Sequence, residues 1–331
     1  MRVAVLYEHP EWFQPLFAAL DRRGLEVVRV DATSLRWDPA EPPEFSLLLN
    51  RMSPSSHTRG HGHAIHAAAS YIDWVESHGI PVVNGSAAYR LELSKSAQLD
   101  LLRRLGIRYP RARVINNISQ APAAARNLQF PVVVKPNIGG SGAGIQRFDS
   151  TAALDEAAAR GAIDLGIDAT ALVQEFLPAR GGTITRLEIL HGELLYAIEI
   201  TPPAGHGFNL CPADICQTDV APASASFEAC PTRPAMAIQA ASPPSDVVEA
   251  ALRIAKAARL DVCGIEYLVD DRDGEACIYD INALSNFVTD APRIVGFDPF
   301  ERFAEYIGRR VDDATPVLIR PAAAVSEPVA P

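Results

Sequence analysis

The sequence predicts an α/β protein built from two or three subdomains. Three observations carry that expectation. The first 85 or so residues alternate strand-like and helix-like patterns. A β-branched strand runs into a glycine-rich loop within FPVVVKPNIGGSGAGIQRF, Phe130–Phe148. A carboxylate-bearing hairpin follows much later, in GIEYLVDDRDGEACIYDIN.

A chain of 331 residues can bury several cores, and 48% hydrophobic with 21% charged residues is ordinary for a folded protein. A net charge of −10 argues against a non-specific nucleic-acid binder. Five cysteines form no CxxC pair and their number is odd, which suggests a reduced, cytoplasmic protein. Arg2 leads straight into the strand-like VAVLY, so no secretory leader is expected. No apolar run reaches membrane-spanning length, so no membrane partner is expected either.

Residues 2–7 read as a buried strand, 14–23 as a helix closed by Gly24, and 25–30 and 45–49 as further strands. In a parallel sheet of this kind ligands gather at the carboxyl ends of the strands. Two loops leave those ends, Glu8–Phe13 and Asn50–His66. The second carries Arg51, Arg59 and four histidines, His57, His61, His63 and His66. Cationic groups there suit an anionic substrate group. A histidine metal site and a solvated helix-capping loop are the alternatives.

Residues 80–84 read as another strand, followed by one helix from Tyr89 to Leu105 that Gly106 ends. Leu91, Lys95, Gln98, Leu102 and Leu105 share its face, so Lys95 must snorkel out or meet an anion. Val132–Val134 is a buried strand that delivers Lys135 to its end, where Pro136 stops it. Gly139, Gly140, Ser141, Gly142 and Gly144 then allow backbone N–H groups to cradle an anion, phosphate being the usual guest. The loop is neither a Walker A nor a GxGxxG motif.

Downstream, 152–160 is an alanine-rich helix and 171–176 a strand. Residues 183–190 and 193–200 form a hairpin around His191-Gly192. Residues 201–246, rich in Pro, Ala, Ser and Gly, read as a long functional or mobile loop containing Cys211 and Cys216. A helix runs from the capping residue Asp246 to about Arg259.

Alternation in the last hairpin, with Asp273-Gly274 at its turn, sets Glu266 close to opposite Asp280. Two carboxylates about 4 Å apart repel by roughly 4 kcal/mol at an effective dielectric near 20, so the pair needs a shared proton or a cation. Asn282 adds an amide oxygen on the same face. That oxygen set suits Mg²⁺, which keeps water and phosphate oxygens as further ligands. Two lysines, a glycine loop and this hairpin together describe a nucleoside triphosphate with magnesium.

In this order, LSKSAQLDLLRRLGI, FPVVVKPNIGGSGAGI, LVQEFL, TRLEIL and GIEYLVD with YDINALSNF resemble the ATP-grasp superfamily, in its RimK-like and glutathione-synthetase-like carboxylate–amine ligases. The resemblance covers about residues 85–310. It implies an N-terminal Rossmann-like pre-ATP-grasp domain over 1–85 and ATP-grasp subdomains over 86–172 and 173–311, with a Pro/Ala-rich tail over 312–331. It implies ATP as cosubstrate and one or two Mg²⁺ or Mn²⁺ ions held by Glu266, Asp280 and Asn282. Lys95, Lys135, Gly140, Ser141 and Gly142 would meet the phosphates, and Gln174, Glu175, Phe176 and Leu177 the adenine. Arg186 and Lys135 would act on the transferred phosphoryl group. Arg51, Arg59 and Asn209 are the candidates for binding substrate.

Relative to the family pattern, Glu266 and Asp280 exchange side-chain lengths and Ile184 replaces an acidic ribose ligand. GFNLCPADIC stands in place of an arginine- and asparagine-rich segment, which argues against a glutamate-type substrate. The implied reaction joins a small carboxylate to an amine, an amino acid or peptide, through an acyl-phosphate. A homo-oligomer is compatible with the sequence. The alternatives are an ATP-grasp enzyme with a non-amine acceptor and a nucleotide-binding regulator. A Rossmann dehydrogenase is disfavoured, because no GxGxxG follows the first strand.

Overall fold

The computed structural model describes residues 2–140, 142–203, 208, 210 and 236–313. The N-terminal sheet comprises β1 (Arg2–Tyr7), β2 (Glu26–Asp31), β3 (Leu47–Asn50) and β4 (Val82–Val83), all parallel in the order β2-β1-β3-β4. Its central strand is buried on both faces, as a parallel strand between helical layers must be. Val3 and Val5 pack into the core that holds Leu16, Phe17 and Leu20 of α1 (Gln14–Arg22). Ala4 and Leu6 pack into the core that holds Ala64, Ile65 and Ile72 of α2 (Gly62–Ser77). The segment expected as a loop, 50–66, is partly helical: a 3₁₀ helix spans Pro54–Arg59 and α2 starts at Gly62.

The single helix expected from Tyr89 to Leu105 is two helices, α3 (Ser86–Glu92) and α4 (Lys95–Arg104). Ser94 stands between them in extended conformation, and its side chain accepts from the Ala97 N–H. That cap satisfies an orphan donor and restarts the helix, overriding a hydrophobic period that runs through it. Lys95 thereby becomes the first residue of α4 instead of one in the middle of a stripe.

The second sheet is antiparallel, with β5 (Ala112–Ile115), β6 (Val132–Pro136), β7 (Gln146–Phe148) and β8 (Ala171–Glu175) in the order β5-β8-β6-β7. One face packs on α5 (Ala121–Ala124) and α6 (Thr151–Ala159), through Val132 and Val134 of β6 and Ala171 and Val173 of β8. Because side chains alternate, Val133, Lys135 and Gln174 emerge on the other face. The subdomain boundary expected at 172/173 falls inside β8.

The third sheet has β9 (Ile184–Leu190), β10 (Glu193–Thr201), β11 (Ala237–Ala240), β12 (Val262–Val269) and β13 (Ala276–Asn282), antiparallel in the order β11-β10-β9-β12-β13. His191 (φ 50°) and Gly192 (φ 76°) make the two-residue, left-handed turn that joins β9 to β10. β11 is a strand inside the segment expected as loop, where a short edge strand gives little periodicity. One face carries α7 (Ser245–Ala258), which starts one residue before the expected cap, Asp246. The other face packs on the core that includes α9 (Pro299–Asp313), which follows the short α8 (Ala291–Val295). The tail expected from 312 lies, beyond Asp313, outside the described residues.

Asn84, in left-handed conformation (φ 54°), ties the N-terminal sheet to the third one. Its amide donates to the Val262 and Ala283 carbonyls and accepts from the Asp261 N–H at 2.8 Å. Among the described residues no helix is long and apolar enough to cross a membrane.

Candidate active site

A cavity of about 520 Å³ lies where the three sheets meet, within the size range of small-molecule and cofactor sites. Val133 and Lys135 of β6, Gln174 and Glu175 of β8, Arg186 of β9, Glu266 of β12 and Asp280 and Asn282 of β13 all line it. Lys95, Gly140, Gly142, Phe176 and Leu177 complete the expected set. Ser141 and Asn209 lie outside the described residues.

The carboxylate hairpin forms in the expected register. Glu266 pairs with Asp280 on one side and with Arg186 on the other. Glu266 receives Arg186 Nη1 at 2.7 Å and the Tyr279 hydroxyl at 2.8 Å. Asp280 receives Lys95 Nζ at 2.5 Å. Burial pushes the Glu266 carboxyl above its ordinary value despite Arg186. Burial works the same way on Asp280, but Lys95 and Lys135 outweigh it and hold that carboxyl below its ordinary value. Asn282 comes within 3.5 Å of Glu266 through its Nδ2. These groups present two carboxylates and an amide to one wall of the cavity, which is an oxygen donor set of the kind Mg²⁺ takes. Among the described residues no three His, Cys, Asp or Glu converge, either here, where the donor set is two carboxylates and an amide, or at the four histidines of the N-terminal region.

Lys135 is 6% exposed and has no ion-pair partner among the described residues. Burial, then the charge of Lys95, pulls its ammonium down to about 8. Lys95 moves the opposite way: burial disfavours its charge, but Asp280 more than restores it. The glycine loop between β6 and β7 is anchored at its base by Asn137. The Asn137 Oδ1 accepts from the Ser96 N–H at 3.0 Å and its Nδ2 donates to Asp168. Farther on, Gly140 lies against the N-terminal domain, where a Cβ would sit 2.9 Å from Ser55 Cβ. Gly144 has φ 72°, and a Cβ there would meet Pro136 Cγ at 2.8 Å. Glycine is required at both positions for close backbone approach.

At the opposite end, the Glu175 and Phe176 N–H groups donate to the Arg111 and Pro131 carbonyls, both at 2.9 Å. The Glu175 carboxylate is taken by the Gln129 N–H at 2.9 Å and lies 3.4 Å from Arg111. Gln174 Oε1, by contrast, is buried without a partner among the described residues. An orphaned acceptor on a cavity wall marks a place for a ligand donor, as an exocyclic amine would supply.

Arg51 and Arg59 are not on the cavity wall. Arg59 makes an ion pair with Glu8 at 2.5 Å and lies 4.5 Å over the ring of Trp12. Arg51, 1% exposed, donates to the Ser285 carbonyl and stacks near Phe13 and Phe303. The wall beside them is made by Trp12, Ser53, Ser55 and Asn286, none of which the sequence reading singled out. Glu92, a buried carboxyl, also lies on this wall; it accepts the Ala283 N–H at 2.5 Å and is pushed up by burial to about 7. The only sequence signal was its place three residues before a lysine on an apolar helix face.

No protein-family model matches the chain. The chain is 29% identical over 213 residues to a probable alpha-L-glutamate ligase of Teredinibacter turnerae, spanning 60% of this chain and 67% of that protein. In structure it is similar to a RimK domain ATP-grasp protein of Sphaerobacter thermophilus (TM-score 0.64, 22% identity, 93% of this chain and 99% of that one). It is also similar to the D-cycloserine synthetase DcsG (TM-score 0.69, 18% identity, 94% of this chain and 100% of that one). At those identities the two solved structures speak to the fold. The chain therefore has the fold of these ATP-grasp structures.

Proposed function

We propose that the chain activates a small carboxylic acid with ATP and joins it to an amine through an acyl-phosphate. The observation that carries this is Lys135, a buried lysine without an ion-pair partner among the described residues, on the same wall as Asp280 and Arg186. A buried cation of this kind calls for an anion, and a triphosphate supplies one. Lys95, Lys135 and the N–H groups around Gly140 and Gly142 hold the phosphates. Gln174 Oε1 and the Leu177 N–H are offered to adenine, with Phe176 beside them. Glu266, Asp280 and Asn282 would hold Mg²⁺, which when bound would neutralise phosphate charge.

A carboxylate oxygen of the acid attacks the γ-phosphorus and ADP leaves. The amine nitrogen then attacks the acyl carbon, phosphate leaves and the nitrogen loses a proton. Arg186 stabilises the charge on the transferred group, so the protein's work is positioning and electrostatics. Arg51 and Arg59, in this reading, shape the substrate wall from behind: Arg59 supports Trp12 and Ser55, and Arg51 supports Ser285 and Asn286. Amino acids and peptides are the substrate class to test, since the glutamate ligase relative is named for an amino acid.

The test is ADP release from Mg-ATP across a panel of amino acids and dipeptides. For a substrate that is turned over, Lys135→Ala and Asp280→Asn each lower kcat by about 10²-fold or more, and EDTA abolishes turnover. Unchanged turnover in both variants defeats the site assignment.

A further inference from the structure

We infer that Ser285 is a positioning residue that aims Arg186 into the cavity, and that Arg51 of the N-terminal domain holds Ser285 in place. This rests on the reading of the cavity as a nucleotide site.

Arg186 is the arginine of the cavity wall among the described residues, and it is 5% exposed. Its Nε donates to Glu188 at 2.6 Å, its Nη1 to Glu266 at 2.7 Å and its Nη2 to Ser285 Oγ at 3.1 Å. The Ser285 hydroxyl in turn donates to the other oxygen of Glu188 at 2.5 Å. Arg186, Glu188 and Ser285 therefore form a closed ring, with Glu188 and Ser285 both wholly buried. A ring fixes the plane of the guanidinium, where one ion pair would leave it free to swing.

Ser285 belongs to the segment after β13, which has no regular structure of its own. Its backbone is held from outside: Arg51 Nη2 donates to the Ser285 carbonyl and reaches Asn286 Oδ1 at 3.4 Å. The Nε and Nη1 of Arg51 have no hydrogen-bond partner among the described residues. Phe13 and Phe303 lie 5.3 and 5.7 Å from its guanidinium carbon. No carboxylate is in contact with this guanidinium, and the charges of Glu188 and Glu92 offset its burial only in part. What it secures is the Ser285 carbonyl, and through Ser285 the aim of Arg186.

A guanidinium aimed at the transferred phosphoryl group distinguishes a triphosphate from a diphosphate. The experiment is calorimetric titration of the full-length protein with Mg-AMPPNP and with Mg-ADP, alongside thermal unfolding without nucleotide. Ser285→Ala should lower the preference for AMPPNP over ADP about tenfold, the scale of one hydrogen bond to a charged group. Its ADP affinity should stay within about twofold. Arg51→Met should lower the same preference, with ADP affinity again within about twofold, because the Ser285 carbonyl loses the donor that holds it. An AMPPNP preference equal in wild type and both variants overturns the inference, even if the variants melt earlier. A wild-type protein that binds neither nucleotide overturns the reading of the cavity as well.

Discussion

The guanidinium of Arg186 lies directly across the backbone of Gly264. A Cβ at residue 264 would overlap Arg186 Nη2 and Cζ and stand 2.7 Å from Nε. Gly264 sits on β12 two residues before Glu266, on the same side of the strand, so the glycine opens the space through which Arg186 reaches its carboxylate.

Gly264→Ala should therefore displace Arg186, not merely crowd it. The side chain cannot yield cheaply, being tied to Glu188, Glu266 and Ser285. Overpacking of this kind costs about 1–3 kcal/mol. The double variant Gly264→Ala/Arg186→Ala should recover part of the lost thermal stability and none of the ligase turnover. Equal turnover by wild type and Gly264→Ala would show that the aim of Arg186 is immaterial.

Lys135 makes the nucleotide-free protein sensitive to alkaline pH in a direction that can be stated. Its ammonium titrates at about 8 in the folded chain against an ordinary 10.5, mainly from burial and secondarily from Lys95. Between those two values the unfolded chain holds more protons, so stability contributed by this site rises with pH across the window and is lowest below it. A bound triphosphate restores the charge and raises the pKa. Nucleotide binding near pH 9 should then take up a proton, visible as a calorimetric heat that depends on the ionisation enthalpy of the buffer. Lys135→Met should remove that dependence. Equal proton uptake in the variant assigns it to another group.

The parts of this site that could be read from sequence are those set by short-range rules. The alternation Val132–Lys135 decides which side chain leaves the core, and Asp273-Gly274 sets the register that brings Glu266 opposite Asp280. That register holds despite a bulge that leaves Tyr279 out of the pairing and lets its hydroxyl reach Glu266. What could not be read depends on partners far along the chain. Arg59 looked like a free substrate cation because Glu8, its ion-pair partner, is 51 residues away. Arg51 looked the same because the carbonyl it serves is 234 residues away. The break at Ser94 was local but was masked by a stronger periodic signal, and α9 has a clear apolar face that went unread beside the more telling hairpin before it.

Asn84 should be among the most stability-sensitive polar residues of the chain. It is 1% exposed, and its side chain donates to the Val262 and Ala283 carbonyls and accepts from the Asp261 and Val262 N–H groups. Its own carbonyl accepts from Asn50 Nδ2 at 3.0 Å. Asn84→Ala deletes all the side-chain bonds at once and leaves buried backbone groups without partners, at about 1–3 kcal/mol each before relaxation. It also places an ordinary Cβ residue in the left-handed region, which costs roughly 1–2 kcal/mol. Since such losses do not add, about 3–5 kcal/mol is expected, read as a lowered urea midpoint. Asn84→Gly separates the two contributions: it removes the backbone strain but restores no hydrogen bond, so it should recover only about 1 kcal/mol relative to alanine. The loss should also reach the site, because Ala283, one of the partners, adjoins Asn282 and also donates to Glu92. A drop in Mg-nucleotide affinity larger in Asn84→Ala than in a surface variant of equal stability is therefore expected. A urea midpoint within experimental error of wild type would mean that the two sheets are held together elsewhere, for instance through the α1–α9 contact and its Arg22–Glu301 ion pair.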